Sequence, residues 1–185
     1  MTFPERVVGA LKLDAHTFED IERDTTAMGQ SVGIIALAAA ASSLGSIWTL
    51  GFGRIIFAIL IAICGYLLWA LIVWLVGTKL MPDPATNADF AETFRVIAFA
   101  ASPGLLGVVS IIPFIGSIIA FLLMPIIWLW SMAAMVIAAR QVLDYTDTFK
   151  AVIVVLIGFV VYLVFWGTMM MLSFGAALLG GMIAR

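Results

Sequence analysis

The chain has one cysteine, Cys64, and one histidine, His16, and it places no charged residue in four long stretches, 31–53, 55–78, 96–139 and 151–184. Each shortage excludes something. A lone thiol closes no internal disulfide, and Cys64, set among apolar neighbours, reads as a small buried apolar residue. A single histidine with no cysteine near it makes no metal set, so no metal ligand is expected and His16 reads as a cap or turn residue. The sequence also lacks a Ser-His-Asp set, an HExxH motif, paired carboxylates within its apolar stretches and a Gly-rich phosphate loop followed by Lys. No catalytic or cofactor-binding residue is therefore expected, no cofactor, and no enzyme activity. With a net charge of -2 and no basic run, nucleic acid is excluded as a partner.

The missing intramembrane charge bears on transport as well. Proton-coupled carriers and ion pumps place ionisable groups at depth, because moving a charge or proton there needs a polar relay. None is present, nor a filter-like Gly-rich loop, nor a matched pair of interrupted helices. Energised transport is disfavoured. Passive movement of a neutral or apolar substrate stays open.

What the chain does have is hydrophobic length. A spanning helix needs about 20 apolar residues, so stretches 31–53 and 55–78 hold one span each. The third is close to twice that length, and Pro113, Phe114, Ile115 and Gly116 give a turn near its middle. The expectation is an all-α integral membrane protein with five transmembrane helices, at about 31–50, 55–78, 95–112, 115–139 and 150–173, preceded by a short amphipathic helical segment. A Gly-rich tail begins at Phe174, and the sequence leaves open whether it continues the fifth helix or re-enters the membrane. Residues 1–29 form the N-terminal segment and 30–185 the membrane domain. Pro103 and Pro125 should kink their helices and free carbonyls at depth.

Basic residues near span ends stay on the cytoplasmic side. With the N-terminus inside, Arg6, Lys12, Arg23, Lys79, Arg95, Arg140 and Lys150 lie on that side, against Arg54 and Arg185 outside. The protein is thus expected in the cell (inner) membrane, multi-pass, with its C-terminus outside.

Thr2, Phe3, Pro4, Glu5 has the form of a capping box with Pro in the first turn, and Phe3, Val7, Val8 and Leu11 then share a helix face. A second start signal is Thr17, Phe18, Glu19, Asp20, with Phe18, Ile21, Thr25 and Met28 on one face and Glu19, Asp20, Glu22, Arg23 and Asp24 on the other. That net acidic face favours packing on the protein's own loops or on a partner over anionic lipid. Within the spans, Ala38, Ser42 and Ser46 repeat every four residues, as do Ser173, Ala177 and Gly181, giving small-residue faces that let a second backbone approach, in one chain or between two. Trp69, Trp128 and Trp130 are expected to fill the space left by the kinks. On the inner side Asp89, Glu92, Arg95, Arg140, Asp144, Asp147 and Lys150 form a candidate polar cluster. Asp89 to Glu92 reads as a helix start, with Glu92 and Arg95 close enough to pair. The same charges also serve as span anchors.

The run from Phe94, Arg95, Val96 through Ala98, Phe99, Ala100, Ala101, Ser102, Pro103, the Ile112, Pro113 turn, Trp128, Arg140 to Thr148, then Lys150 and Ala151, resembles the Ypt-interacting protein (Yip) family, in particular its short bacterial-type members. Phe18, Glu19, Asp20, Ile21, Glu22 and Asp24 are similar to those members too. The resemblance implies a five-span domain with a cytosolic N-terminus and a C-terminus across the membrane. In eukaryotic relatives it implies association with prenylated Rab-type GTPases and homo- or hetero-oligomers. Those relatives carry a Gly-Tyr pair upstream of the proline, where Ala98 and Phe99 stand here, and a longer N-terminal region. These departures argue against GTPase binding by this chain. The expected function is a non-catalytic scaffold that organises the membrane or docks a partner. The competing expectation is a passive facilitator (channel, carrier or scramblase-like) for a small neutral solute or lipid. Expected partners are membrane lipid, a second copy of the chain and a cytoplasmic protein.

Overall fold

A computed structural model describes residues 1–46 and 52–183, and among them every regular element is helical. The α-helices in order are α1 Phe3–Leu11, α2 Ala15–Arg23, α3 Met28–Ser43, α4 Gly53–Leu75, α5 Phe90–Phe99, α6 Gly116–Val142 and α7 Thr148–Ile183. Pieces of other pitch join them: 3-10 turns at Thr25–Ala27 and Leu44–Ser46, a π-helical extension of α4 at Val76–Leu80, and a 3-10 segment, Ser102–Ile111, between α5 and α6. Four helical stretches are long and apolar enough to cross a membrane: Thr25–Ser43, Ile55–Leu80, Gly116–Val142 and Thr148–Phe165. A fifth is supplied if α5 and the 3-10 segment, bent by 41° against each other, form one span. This is an all-α membrane protein.

The N-terminal helices start where local chemistry supplies caps. The Thr2 N–H donates to Glu5 Oε2 at 2.7 Å, and Pro4 stands in the first turn of α1, where its missing N–H costs nothing. The second helix begins two residues before the expected Thr17. Asp14 is its cap, accepting the His16 N–H at 3.2 Å and the Thr17 hydroxyl at 2.8 Å, so Thr17 is drawn inward as a buried partner of the cap. His16 itself sits in the first turn of α2.

The third span is not one helix kinked at Pro103. α5 stops at Phe99, and Pro103 lies in the first turn of the following 3-10 segment. Proline has no N–H to give the Phe99 carbonyl four residues back. The Ser102 hydroxyl takes that carbonyl instead, at 2.7 Å, so the break leaves no orphan there. The bend has a consequence for packing. Every residue from Thr93 to Phe99 is buried, because α5 runs through the middle of the bundle, against α1, α2, α3, α4 and α6. Past the bend the 3-10 segment moves to the edge, packed on α3 and α6, with Leu106, Val108 and Ile111 exposed.

The Pro113 turn is present, with Phe114 at φ 65° as its reversal, and leads into α6 at Gly116. α6 runs without interruption through Pro125, which deprives the Phe121 carbonyl of its usual donor. In the last helix the backbone stays helical past Phe174 to Ile183, the first of the two courses the sequence leaves open for the Gly-rich segment. Its glycines there are embedded among Ala and Leu, strong helix formers, and lipid offers a broken backbone no alternative partner.

Candidate functional site at the polar end of the bundle

Apart from Arg54 at the start of α4 and Arg185, the charged residues lie toward one end, and the N-terminal helices are locked to it by Arg6, expected from the sequence only as an orientation signal. Arg6 on α1 is 1% exposed. Its Nε donates to Asp20 at 2.9 Å, Nη2 to Asp24 at 2.6 Å and Nη1 to Gln30 at 2.9 Å, so one guanidinium joins α1, α2, the turn after it and α3. Five rigid donors suit arginine to this fork. The acidic face of α2 thus serves the protein's own packing. Asp24 is held down to about 2 by the Thr26 hydroxyl and then by Arg6. An arginine at helical spacing within the apolar face of α1 was the available signal, read against the acids of α2.

The seven expected cluster residues reach this end but divide their work. Asp89 and Glu92 close a capping box on α5, Glu92 N–H to Asp89 at 2.7 Å and Asp89 N–H to Glu92 at 2.9 Å. The carboxylate of Glu92 thus serves the cap, and no Glu92–Arg95 ion pair is found among the described residues. Arg95 is buried and donates through Nη2 to the Glu22 carbonyl at 2.7 Å, leaving Nε without a partner. Asp147 caps α7 through the Phe149 N–H at 2.8 Å. Arg140 reaches the Tyr145 carbonyl at 3.3 Å, and Lys150 pairs with Asp83, which lies outside the expected set and is lowered by that ammonium group. The loops are tied further: the Tyr145 hydroxyl sits 2.7 Å from the Met81 carbonyl, and the Thr86 hydroxyl donates to Leu143 at 2.7 Å. Glu22, Glu92 and Asp144 form an acidic group across α2, α5 and the loop between α6 and α7. Burial, then the charges of Asp144 and Glu92, push Glu22 up to about 7. A cleft of about 430 Å³ opens beside this group, lined by Leu13, Ala15, Arg140, Gln141, Asp144 and Tyr145.

The small residues of α3 meet small residues of the 3-10 segment. Ser42 Oγ donates to the Gly104 carbonyl at 3.1 Å, a β-carbon on Gly104 would lie 3.1 Å from Ala38 Cβ, and the Gly45 N–H reaches Ser110 Oγ at 3.0 Å. The side chains of Ser46, Ser173, Ala177 and Gly181 lie outside the described residues. Of the tryptophans, Trp69 packs on Tyr162 at 4.9 Å between ring centres and Trp128 on Phe159 at 5.2 Å. Trp130 instead points its N–H at α1. Among the described residues no group of His, Cys, Asp and Glu is arranged to hold a metal.

An all-helical bundle with four or five apolar spans is a multi-pass membrane protein. The Yip1 domain matches residues 9–169, and the chain belongs to that family. No curated protein and no solved structure matches it.

Proposed function

We propose that this chain is a non-catalytic scaffold of the cell membrane that docks a protein partner on its polar end, with that end cytoplasmic and the C-terminus outside. The observation that supports this most directly is the complete burial of α5 from Thr93 to Phe99. A solute crossing the bundle would have to pass where α5 is packed. Docking draws support from the polar end itself, where Arg6, Arg95, Lys150 and Tyr145 fix helices and loops into one surface beside the Arg140–Asp144 cleft. A preorganised surface loses little conformational freedom on binding. Residues 1–29 are in this reading a fixed part of the docking face, and Asp89, Glu92 and Asp147 act by holding the helix starts that frame it. Seven of the nine basic residues belong to this side by the sequence, and that asymmetry supports its cytoplasmic placement. Self-association through the small-residue face of the last helix is compatible with the same role.

The test is reconstitution. Liposomes carrying the protein should take up no neutral solute and flip no lipid faster than empty ones. A rate that rises in proportion to protein content would replace the scaffold with the facilitator.

A further inference from the structure

The cleft at the polar end holds two opposite charges that do not meet. It measures about 430 Å³ and lies where the end of α6, the start of α7 and the turn between α1 and α2 converge. Arg140 and Asp144 are its charged lining residues, and both are exposed. Arg140 donates its Nε–H to the Tyr145 carbonyl at 3.3 Å. Beyond that bond, neither its guanidinium nor the Asp144 carboxylate makes an ion pair or a side-chain hydrogen bond among the described residues. The depth of the cleft follows from the length of α6. Its 27 residues rise about 40 Å against a hydrocarbon core of about 30 Å, so Arg140, in the last turn, stands among lipid headgroups. The backbone of the cleft is strained as well. Leu13 and Asp144 both line it and hold φ at 60° and 51°, two of the three non-glycine residues with positive φ among the described residues. A leucine held there is costly, and such positions cluster at ligand clamps. Here the strain keeps an apolar side chain and a carboxylate in one lining.

We propose that this cleft binds the headgroup of phosphatidylethanolamine, with the phosphate on Arg140, the ammonium on Asp144 and the glycerol along Leu13, Ala15 and Ile137. Each half of the headgroup answers one half of the lining. The planar guanidinium fork matches phosphate oxygens, and its Nη groups are the ones left open. The ammonium brings N–H donors to a carboxylate that has none. Asp144 also stands in an acidic field: burial, then the charge of Glu92, raise its pKa, and Glu22 feels both of them. That field selects among phospholipids. Phosphatidylglycerol supplies the phosphate and no cation, phosphatidylserine adds a carboxylate to an acidic group, and phosphatidylcholine carries its positive charge on a nitrogen without N–H. A metal ion is a poor occupant, because among the described residues no group of His, Cys, Asp and Glu is arranged to hold one. The volume falls within the range of about 300–1,000 Å³ usual for small-ligand sites, enough for a headgroup and glycerol while the acyl chains stay in the bilayer. Ile137 lies a turn below Arg140 on the membrane side, where those chains begin. The site is independent of protein docking at the same end.

The experiment titrates the full chain, purified in a mild detergent, with phosphatidylethanolamine, phosphatidylcholine and phosphatidylglycerol of identical acyl chains, and reads the first bound lipid by native mass spectrometry. Phosphatidylethanolamine should bind about tenfold more tightly than either of the others, the worth of one charge-assisted contact. Asp144→Asn should remove that preference and leave phosphatidylglycerol binding as it was or stronger. Asparagine adopts left-handed backbone as readily as aspartate, so this variant keeps the fold. Arg140→Gln should weaken all three lipids, since each carries the phosphate, and Arg140→Lys should restore part of the loss. Lys79→Gln removes an exposed cation outside the cleft and should change nothing. All variants are compared in samples whose elution and melting match the parent protein. Glycerophosphoethanolamine, the same headgroup without chains, should fail to compete at equal concentration. Equal binding of the three lipids, a preference that survives Asp144→Asn, a loss as large in Lys79→Gln as in Arg140→Gln, or full competition by the soluble headgroup would overturn the proposal.

Discussion

The Trp130 indole N–H donates to the Leu11 carbonyl across 2.9 Å, joining residues 119 positions apart. Leu11 ends α1, where helical carbonyls have lost their own donors, and Trp130 projects from the middle of α6. The bond therefore closes an open helix end and holds the N-terminal segment along the flank of the bundle. Phe3 meets Phe99 edge-on at 6.2 Å on the same helix. α1 is part of the packed structure at both ends.

Replacing Trp130 by Phe keeps most of the ring and removes the donor. The cost should be about 1 kcal/mol, the net worth of one such bond. Hydrogen exchange over Phe3–Leu11 should accelerate while α3 and α5 keep their protection. Unchanged exchange in α1 would mean that Arg6 and Phe3 hold the helix without Trp130.

Spans and breaks were legible because their signals are local: uncharged length, Pro103, Pro113 and the Asp89–Glu92 cap are each read within a few residues. The uses of charge were not. Glu92 and Arg95 stand three apart and suit pairing, yet the cap takes Glu92 and the Glu22 carbonyl takes Arg95, an outcome decided by how α2 lies across α5. Arg6 likewise finds Asp20, Asp24 and Gln30 only once α1 folds back on α2 and α3. The course of the chain after Phe174 stayed open because its length exceeds one span and falls short of two, while in a membrane a helix is the course that keeps the backbone paired.

Glu22 sets a pH dependence whose sign follows from its partners. Its pKa is raised from 4.5 to about 7 by burial and by Asp144, Glu92 and Glu19, with Arg23 opposing. The folded state therefore holds the proton more tightly than the unfolded chain. Stability from this group is complete below about pH 4.5 and is lost as pH rises through 7. Glu22→Gln should flatten the melting temperature between pH 5 and 8 and make the variant the more stable form at pH 8, by on the order of 1 kcal/mol after allowing for partial exposure. Parallel profiles for the two proteins would show that the carboxyl is solvated.

Sidedness can be read by labelling. In a Cys64→Ala background, cysteines at Thr146 and Phe114 mark opposite ends, since Thr146 lies in the α6–α7 loop and Phe114, 94% exposed, tips the α6 entry turn. A membrane-impermeant maleimide added to intact cells should modify position 114, and Gly181 when that is the cysteine, and reach 146 only after permeabilisation. Labelling at 146 in intact cells would invert the orientation.

The contact between α3 and the 3-10 segment offers a paired test, because two glycines of the same region differ in their surroundings. A β-carbon on Gly107 would fall 2.7 Å from the Ser42 Cα, a backbone atom that cannot turn aside, whereas one on Gly33 meets nothing within 4 Å. Gly107→Ala must push α3 and the 3-10 segment apart, at a cost of about 1–3 kcal/mol for overpacking. Gly33→Ala lies inside α3 and should be neutral or stabilising by up to about 1 kcal/mol, since alanine loses less backbone freedom in a helix. Thermal unfolding in detergent should therefore move in opposite directions for the two. Equal tolerance of both would mean that the close approach of the two segments is not maintained.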